Sequence, residues 1–576
     1  MNTISQHPNP QFERADFFLL NGEWEFSYTP FPKDADFSFL SEESVTAHCN
    51  TSCLTNRITV PFCPQSVLSG IGYTGFIAVA EYRKTVDICK NGRRVFLHIG
   101  AADYMTTVLI NGKSVGQHKG GYTSFAFDIT DAVRDGENEI YIHCQDNERD
   151  PFIPRGKQCE HKESQGCDYT RTTGIWQNVW LEYTPQAYIK NFRVYPDTEH
   201  ATLTINGEFI GSGIFTAEAY YNGKPVGSAT GRTDSLTIRL SEKHLWEPGC
   251  GRLYDLVLRY GEDTVYSYFG LRSVALDGMR FLINGKSVFQ RLVLDQGFYR
   301  KGIYTPQDDD ERKKDILLSL SVGFNGARLH QKVFDPRYLY YCDKMGYLVW
   351  GEYANWGLDH SDERATEIFL NEWTEALERD FNHPAIIGWC PFNETWDVNG
   401  RPQCDSVLRD VYRFTKAFDT TRPCIDTSGN FHVETDIYDL HDYRGETDEF
   451  KESFDRFMTE NYLYEHVLNF HKNRQKYSGE PVFISEYGGI KWETDKAFKS
   501  WGYGKDVRTP EEFLARYQGL TEALLGNSKF FGFCYTQLYD IEQEQNGLFT
   551  YDRTPKFSDE IYAKIKAVNT QKAAIE

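Results

Sequence analysis

The sequence contains no apolar stretch of about 18 residues, the length a helix needs to cross a bilayer, so no transmembrane helix is expected. The opening segment, Met1 to Phe18, lacks the apolar core of a secretory signal, and a cytoplasmic location is expected. Positive charge is in deficit: 62 Lys and Arg face 83 Asp and Glu, a net of −21. Such a surface repels nucleic acid and anionic membranes, so neither is expected as a partner, and it does not favour a polyanionic substrate. Any sign of cysteine pairing is also missing. The 13 cysteines are odd in number and scattered, with Cys390, Cys424 and Cys534 inside apolar segments, which suits free thiols better than a disulfide framework. Cys159, His161 and Cys167 lie near one another but match no zinc spacing, so no metal and no cofactor is expected.

What is present supports several cores. At 576 residues the chain exceeds what one core organises, and three or four domains are expected. Hydrophobic residues make up 40% and charged residues 25%, the balance of a soluble globular protein. Aromatics reach 15%, with 36 Tyr and 11 Trp. Aromatic-rich strands account for most of them, and flat faces for stacking sugars are the other use. From Leu20 onward, short alternating runs such as Arg94–Ile99, Thr107–Lys113 and Glu139–His143 are separated by turn signals, Asn111-Gly112 among them. They predict a jelly-roll sandwich over residues 1–185. Within it, the polar stretch from Glu148 to Thr173, with Arg155 and Lys157, is too long for a plain connection and is expected to reach over a functional mouth. Strands such as Ala201–Gly207 and Leu253–Leu258 predict an Ig-like sandwich over 186–276 with no chemistry of its own.

From Arg280 strands and helices alternate. Strands are expected at Ser287–Asp295, Asn325–His330, Leu348–Glu352, Ala385–Glu394, Cys424–Thr427, Ile437–His441, Pro481–Gly489 and Phe531–Tyr535. Eight alternations predict a (β/α)₈ barrel over 277–576. A doubly wound sheet also alternates, but it does not gather eight strand ends at one mouth.

Two of these strands, the fourth and the seventh, end in Glu394 and Glu486. Two carboxylates at the C-terminal ends of barrel strands are what a retaining glycosidase requires. Asn393-Glu394 and Glu486-Tyr487-Gly488-Gly489 resemble the acid/base and nucleophile motifs of glycoside hydrolase family 2, which includes β-galactosidases, β-glucuronidases and β-mannosidases. Gly174–Glu182 resembles the last strand of that family's sugar-binding-fold domain, and the strand-by-strand match covers nearly the whole chain. The resemblance implies that Glu394 is the general acid/base, Glu486 the nucleophile, and Asn393 a ligand of the sugar 2-hydroxyl. The acid then needs a raised pKa, while the nucleophile must stay ionised. Arg328, at the end of strand two, is placed to hold Glu486 ionised. Asp295, His330, Glu352, His441 and Tyr443 are strand-end polar groups suited to sugar hydroxyls. Trp356, Trp389 and Trp396 are stacking candidates, with Trp389 expected in the core. Tyr535 or a neighbour stands where many members have Trp.

The chain departs from the family in two informative places. Glu352 is followed by Tyr353-Ala354-Asn355-Trp356-Gly357, without the Glu-x-His pair of the magnesium-binding β-galactosidases, so no metal requirement is implied. Glu544-Gln545-Asn546-Gly547 lacks the Lys with which the family's β-glucuronidases hold the sugar carboxylate, and it adds an acid. The resulting expectation is a retaining exo-glycosidase acting on neutral terminal sugars, β-D-galactosides first. A family 2 enzyme for an α-L-arabinoside, β-glucuronide or β-mannoside is the alternative, and a non-catalytic carbohydrate-binding protein is the rival of another class. The expected partner is a glycoside or oligosaccharide; a homo-oligomer is compatible with the sequence.

Overall fold

Alternation between apolar and polar residues makes the first elements strands. Arg94–Ile99 buries every second side chain. Asn111 and Gly112, with φ of 52° and 76°, close a two-residue hairpin between Met105–Ile110 and Lys113–Lys119. An Asn-Gly pair tolerates positive φ at both turn positions, and the register of the hairpin follows from it. The computed structural model describes residues 6–31, 38–49, 53–395, 402–429, 431–460, 463, 474–493 and 499–576. Among them no helix is long and apolar enough to cross a membrane, and all 13 cysteines are free.

The first sandwich packs a six-stranded sheet, from Asn56–Val60 at one edge to Lys113–Lys119 at the other, on a four-stranded sheet containing Val179–Thr184 and Arg94–Ile99. Trp24, Phe26, Tyr82, Leu97 and Ile142 fill the space between them. A helix that the sequence reading did not anticipate, Glu42–Cys49, lies outside the sandwich with only Val45 and Cys49 buried. The second sandwich sets three strands (Tyr188–Asp197, Thr202–Ile210, Ser235–Arg239) against four, with Leu203, Phe215, Leu256 and Phe269 between.

The barrel strands are β1 (Gln290–Asp295), β2 (Gly326–Leu329), β3 (Leu348–Glu352), β4 (Ile386–Cys390), β5 (Thr427–Ser428), β6 (Tyr438–Asp442), β7 (Val482–Gly488) and β8 (Phe530–Thr536). Seven of them form one parallel sheet in the order β4-β3-β2-β1-β8-β7-β6. β4 resumes after Pro391 as Phe392–Asn393, and this short extension pairs in parallel with β5. Side chains link β5 to β6: Ser428 Oγ donates to Asp439 Oδ2 at 2.5 Å and lies 2.9 Å from His441 Nε2. Continuous apolar runs make these strands, because both faces are covered. Helix α1 (Asp309–Ser321) is capped by Asp308, α2 (Pro336–Met345) starts on Asp335 with Pro336 in its first turn, and α3 (Ala365–Asp380) precedes β4.

Two details correct the sequence reading. Lys286–Ser287 leaves the first barrel strand to pair in a small sheet with Arg280–Ile283, and Phe281 of that sheet meets Trp350 and Phe531. Strand five sits later than expected: Cys424 makes only an isolated bridge to Trp389, and the ladder begins at Thr427. The helix after β6, which the alternation implies without bounds, is Thr447–Glu460.

Candidate active site

Parallel strands deliver their last side chains to one end of the barrel, and β4 and β7 deliver Glu394 and Glu486 there. A carboxylate oxygen of each, together with a ring nitrogen of His441, lies within 4.8 Å of the others. Glu394 follows the β4 extension in a left-handed backbone conformation (φ 49°), which costs a non-glycine residue about 1 kcal/mol. Its amide donates to Ser428 O of β5 at 2.7 Å, which holds the turn in place.

Arg328 on β2 is the centre of the buried network. It donates to Glu352 at 2.6 Å, to Glu486 Oε1 at 3.1 Å, to Asn393 Oδ1 at 3.1 Å and to the Ser485 carbonyl at 2.8 Å. Burial works against its charge, but Glu352 and Glu486 outweigh that cost and keep it protonated. The other oxygen of Glu486 accepts from the Tyr443 hydroxyl, which is 3.0 Å from Thr536 Oγ1 and stacks on Tyr503 at 3.6 Å. The amide nitrogen of Asn393 is buried and has no hydrogen-bond partner among the described residues. Its backbone is fixed by Asn355 and by the Trp356 indole, which donates to its carbonyl at 3.1 Å.

His441 spans the pair. Its Nδ1 lies 2.7 Å from Glu394 Oε1, and its Nε2 lies 2.9 Å from Ser428 Oγ and 3.4 Å from Glu486 Oε1. The shorter distance makes Glu394 its bonded partner. Burial disfavours the imidazolium, yet Glu486 and Glu394 together raise the His441 pKa above its ordinary value. Burial alone would push the Glu394 carboxyl up; the bond and charge of His441, with Lys157 and Arg328, bring it below its ordinary value. This differs from the expectation of a raised pKa on Glu394: the adjacent histidine lowers it instead.

The remaining expected site residues divide. His330 meets Glu352 at 3.0 Å, and burial keeps its pKa well below the ordinary histidine value. Glu352 accepts from Arg328 and lies against His330, within the buried network. Asp295 is turned away: its oxygens accept from Tyr338 at 2.9 Å, Tyr539 at 2.6 Å and the Gly297 amide at 2.9 Å. Tyr535 is also misplaced in the reading. Alternation along β8 turns it toward Tyr487 and Tyr517 of the outer layer, and Thr536 is the residue that reaches Tyr443. Trp389 lies in the core and donates to Asp419 at 2.8 Å, as expected. Trp396 lies outside the described residues. Cys159, His161 and Cys167 do not form a cluster with the spacing a metal needs among the described residues.

The stretch from Glu148 to Thr173 is pressed onto the loop after β3: the Arg155 amide donates to Trp356 O at 2.8 Å and that of Gly156 to Trp356 O at 3.1 Å. This places the Lys157 ammonium 3.7 Å from the Trp356 ring centroid, where its charge helps to draw the Glu394 carboxyl down; at Glu544 burial raises the pKa and Lys157 only opposes that rise. A cavity of about 300 Å³ opens at Glu394 and Trp356 and runs under Arg149, Pro151 and Glu160 of the same stretch.

The glycosyl hydrolases family 2 TIM barrel domain matches residues 274–569, more than half of the chain, and the family's sugar binding domain matches 17–185. The chain belongs to glycoside hydrolase family 2. This family 2 chain is 30% identical over 373 residues to a β-galactosidase of Thermoanaerobacter pseudethanolicus, a match covering 60% of this chain and 48% of that one. It is 25% identical over 558 residues to a β-glucuronidase of Paenibacillus borealis, covering 87% of this chain and 90% of that one. It spans about half the length of the first of the curated relatives it matches. Among solved structures, a β-glucuronidase of an uncultured Clostridium sp. superposes with a TM-score of 0.77 at 18% identity, covering 97% of this chain and 99% of that one. Another β-glucuronidase, from Dictyoglomus thermophilum, gives 0.75 at 22%, covering 98% of each chain. At those identities the likeness concerns the fold.

Proposed function

We propose that this chain is a retaining exo-β-glycosidase. The observation that carries the reading is the spacing of Glu394 and Glu486: an oxygen of each lies within 4.8 Å of the other, nearer to the ~5–5.5 Å separation of a retaining pair than to the ~6.5–9.5 Å of an inverting one. Glu486, held by Arg328 and Tyr443, attacks the anomeric carbon as the Glu394–His441 pair delivers a proton to the leaving oxygen. A covalent glycosyl-enzyme forms and the aglycone departs as an alcohol. Glu394 then takes a proton from water, which attacks the anomeric carbon and releases Glu486. Asn393, with its unbonded amide beside Arg328, suits the sugar 2-hydroxyl. The cavity at Glu394 and Trp356 lies on the acid side, where the leaving group belongs.

For the sugar we propose a neutral terminal residue, β-galactoside first. Glu544, buried beside the site, is the feature that supports it, because a second carboxylate there repels a uronate. A β-glucuronide is the second reading. Lys157 favours it by supplying a cation that the barrel motif lacks, and several relatives carry that name. A panel of nitrophenyl glycosides tests both, with product configuration followed by proton NMR. Release of nitrophenol with retention is expected, and faster on the galactoside. Inversion would exclude the double displacement; faster glucuronide hydrolysis would exclude the neutral sugar.

A further inference from the structure

We propose that Lys157, from the first domain, and Glu544, from the barrel, together read one hydroxyl of the terminal sugar. This rests on the glycosidase reading and names the groups that set its specificity. Lys157 is only 5% exposed, yet its ammonium has no acceptor among the described residues; its one direct partner is the face of Trp356. The side chain is buried along its length while the ammonium at its tip is not sealed off from solvent, so a ligand oxygen can reach it. Lys157 is fixed in place. Tyr169 donates its amide to the Lys157 carbonyl at 2.7 Å, and Gly156 before it is in a left-handed conformation (φ 57°) against Gln331. Tyr169 also joins the two groups, since its hydroxyl donates to Glu544 and accepts from Gln296 at 3.0 Å. Glu544 is 2% exposed and accepts from Asn546 at 3.0 Å. It lies near enough to Glu486 for their charges to interact.

An ammonium donates and a carboxylate accepts. A hydroxyl does both, so it can bond to Lys157 and Glu544 at once. A uronate carboxylate gains Lys157 but meets Glu544 with like charge and no proton to offer. The pair therefore selects a hydroxyl and rejects an acid, although the cation is present.

The test compares wild type, Lys157→Met and Glu544→Gln on nitrophenyl β-galactoside, its 4-deoxy and 6-deoxy analogues, and the β-glucuronide. Lys157→Met is expected to lower kcat/KM on the galactoside by about tenfold to a hundredfold, the usual worth of a hydrogen bond to a charged group. That loss should disappear on whichever deoxy sugar lacks the hydroxyl being read. Glu544→Gln should raise the ratio of glucuronide to galactoside kcat/KM. An equal loss on all four substrates would mean that Lys157 only supports the loop, and an unchanged ratio in Glu544→Gln would end the role of the carboxylate. Calorimetry with galactose and the deoxy sugars reads the same contacts on all three proteins. If no aryl glycoside is cleaved, the catalytic reading fails while this one is still decided by binding.

Discussion

The acid and the nucleophile of the proposed mechanism are both Glu, and their surroundings make them different. Glu486 is held by a guanidinium and a phenol, whereas Glu394 is held by a histidine that can also carry its proton. Glu486→Ala should lower turnover by several orders of magnitude, with azide restoring an inverted glycosyl azide. Glu394→Ala should spare dinitrophenyl glycosides, whose leaving groups need little protonation; the opposite pattern would reverse the two roles. His441 carries a separate prediction. The pair titrates as a unit, so the basic limb of kcat/KM reports the loss of its last proton, and in the wild type that proton leaves at the raised pKa of His441. The limb should lie above pH ~6.5. In His441→Gln the only proton is that of Glu394, so the limb should move to lower pH with a smaller plateau. A limb that stays in place would show that the imidazole holds no catalytic proton. Arg328, Lys157 and the carboxylates of Glu486 and Asp439 are the other charges around this histidine, and none changes in the variant.

At the scale of elements, legibility followed the strength of periodic signals. The barrel strands other than β5 could be read because each is an apolar run closed by a polar residue; β5, only Thr427–Ser428, is no such run and was expected too early. Helices could be read where Asp308, Pro336 and Pro510 mark their starts. Glu394, Glu486, Asn393 and Arg328 came with the strand ends. Asp295 and Tyr535 were misassigned because position at a strand end does not fix the face: Tyr535 is one residue from inward-facing Thr536, and Asp295 is drawn off by two tyrosines from other elements. The Glu148–Thr173 stretch could be read as polar but not as packed. Lys157, Gln158, Cys159, Tyr169 and Arg171 are all buried in it, a property set by partners distant in sequence. Deleting the stretch would therefore remove structure as well as a wall of the site. A gentler probe is Gly156→Ala. A Cβ there would lie 2.4 Å from the Gln331 carbonyl, a backbone atom that cannot yield, at a positive φ. The strain, about 1–3 kcal/mol, should lift the loop. KM for an aryl glycoside should rise and protease should nick the loop more readily; unchanged values for both would show that the loop does not wall the site.

At the scale of the whole molecule, the mouth belongs to the barrel but one wall belongs to the first sandwich, so the domains must be held in register. Arg14 is one of the pins. Its guanidinium donates to Glu182 of the first sandwich at 2.7 Å, to Asp263 of the second at 2.9 and 2.8 Å, and to the Ile189 carbonyl at 2.6 Å. All three side chains are buried. Replacing Arg14 by Ala leaves two buried carboxylates without their cation, a loss of about 3–5 kcal/mol. The sign of its pH dependence follows from Glu182. Burial pushes that carboxyl up, but Arg14, with His7 and His98 beside it, outweighs burial and holds it well below its ordinary value. A depressed folded-state pKa contributes stability above the unfolded value, near 4.3, and loses it as pH falls through the folded value. In Arg14→Ala the Arg14 part of that contribution is absent, leaving only His7 and His98, and protonation of Glu182 on acidification relieves the under-compensated charge. Calorimetric unfolding should therefore show a lower Tm for the variant at pH 7 and a narrower gap from wild type near pH 4. The barrel network should be untouched, so kcat measured well below the transition should be near wild type. A gap that stays constant with pH would mean that Arg14 contributes packing alone, and that the junction between the sandwiches is held without its charge.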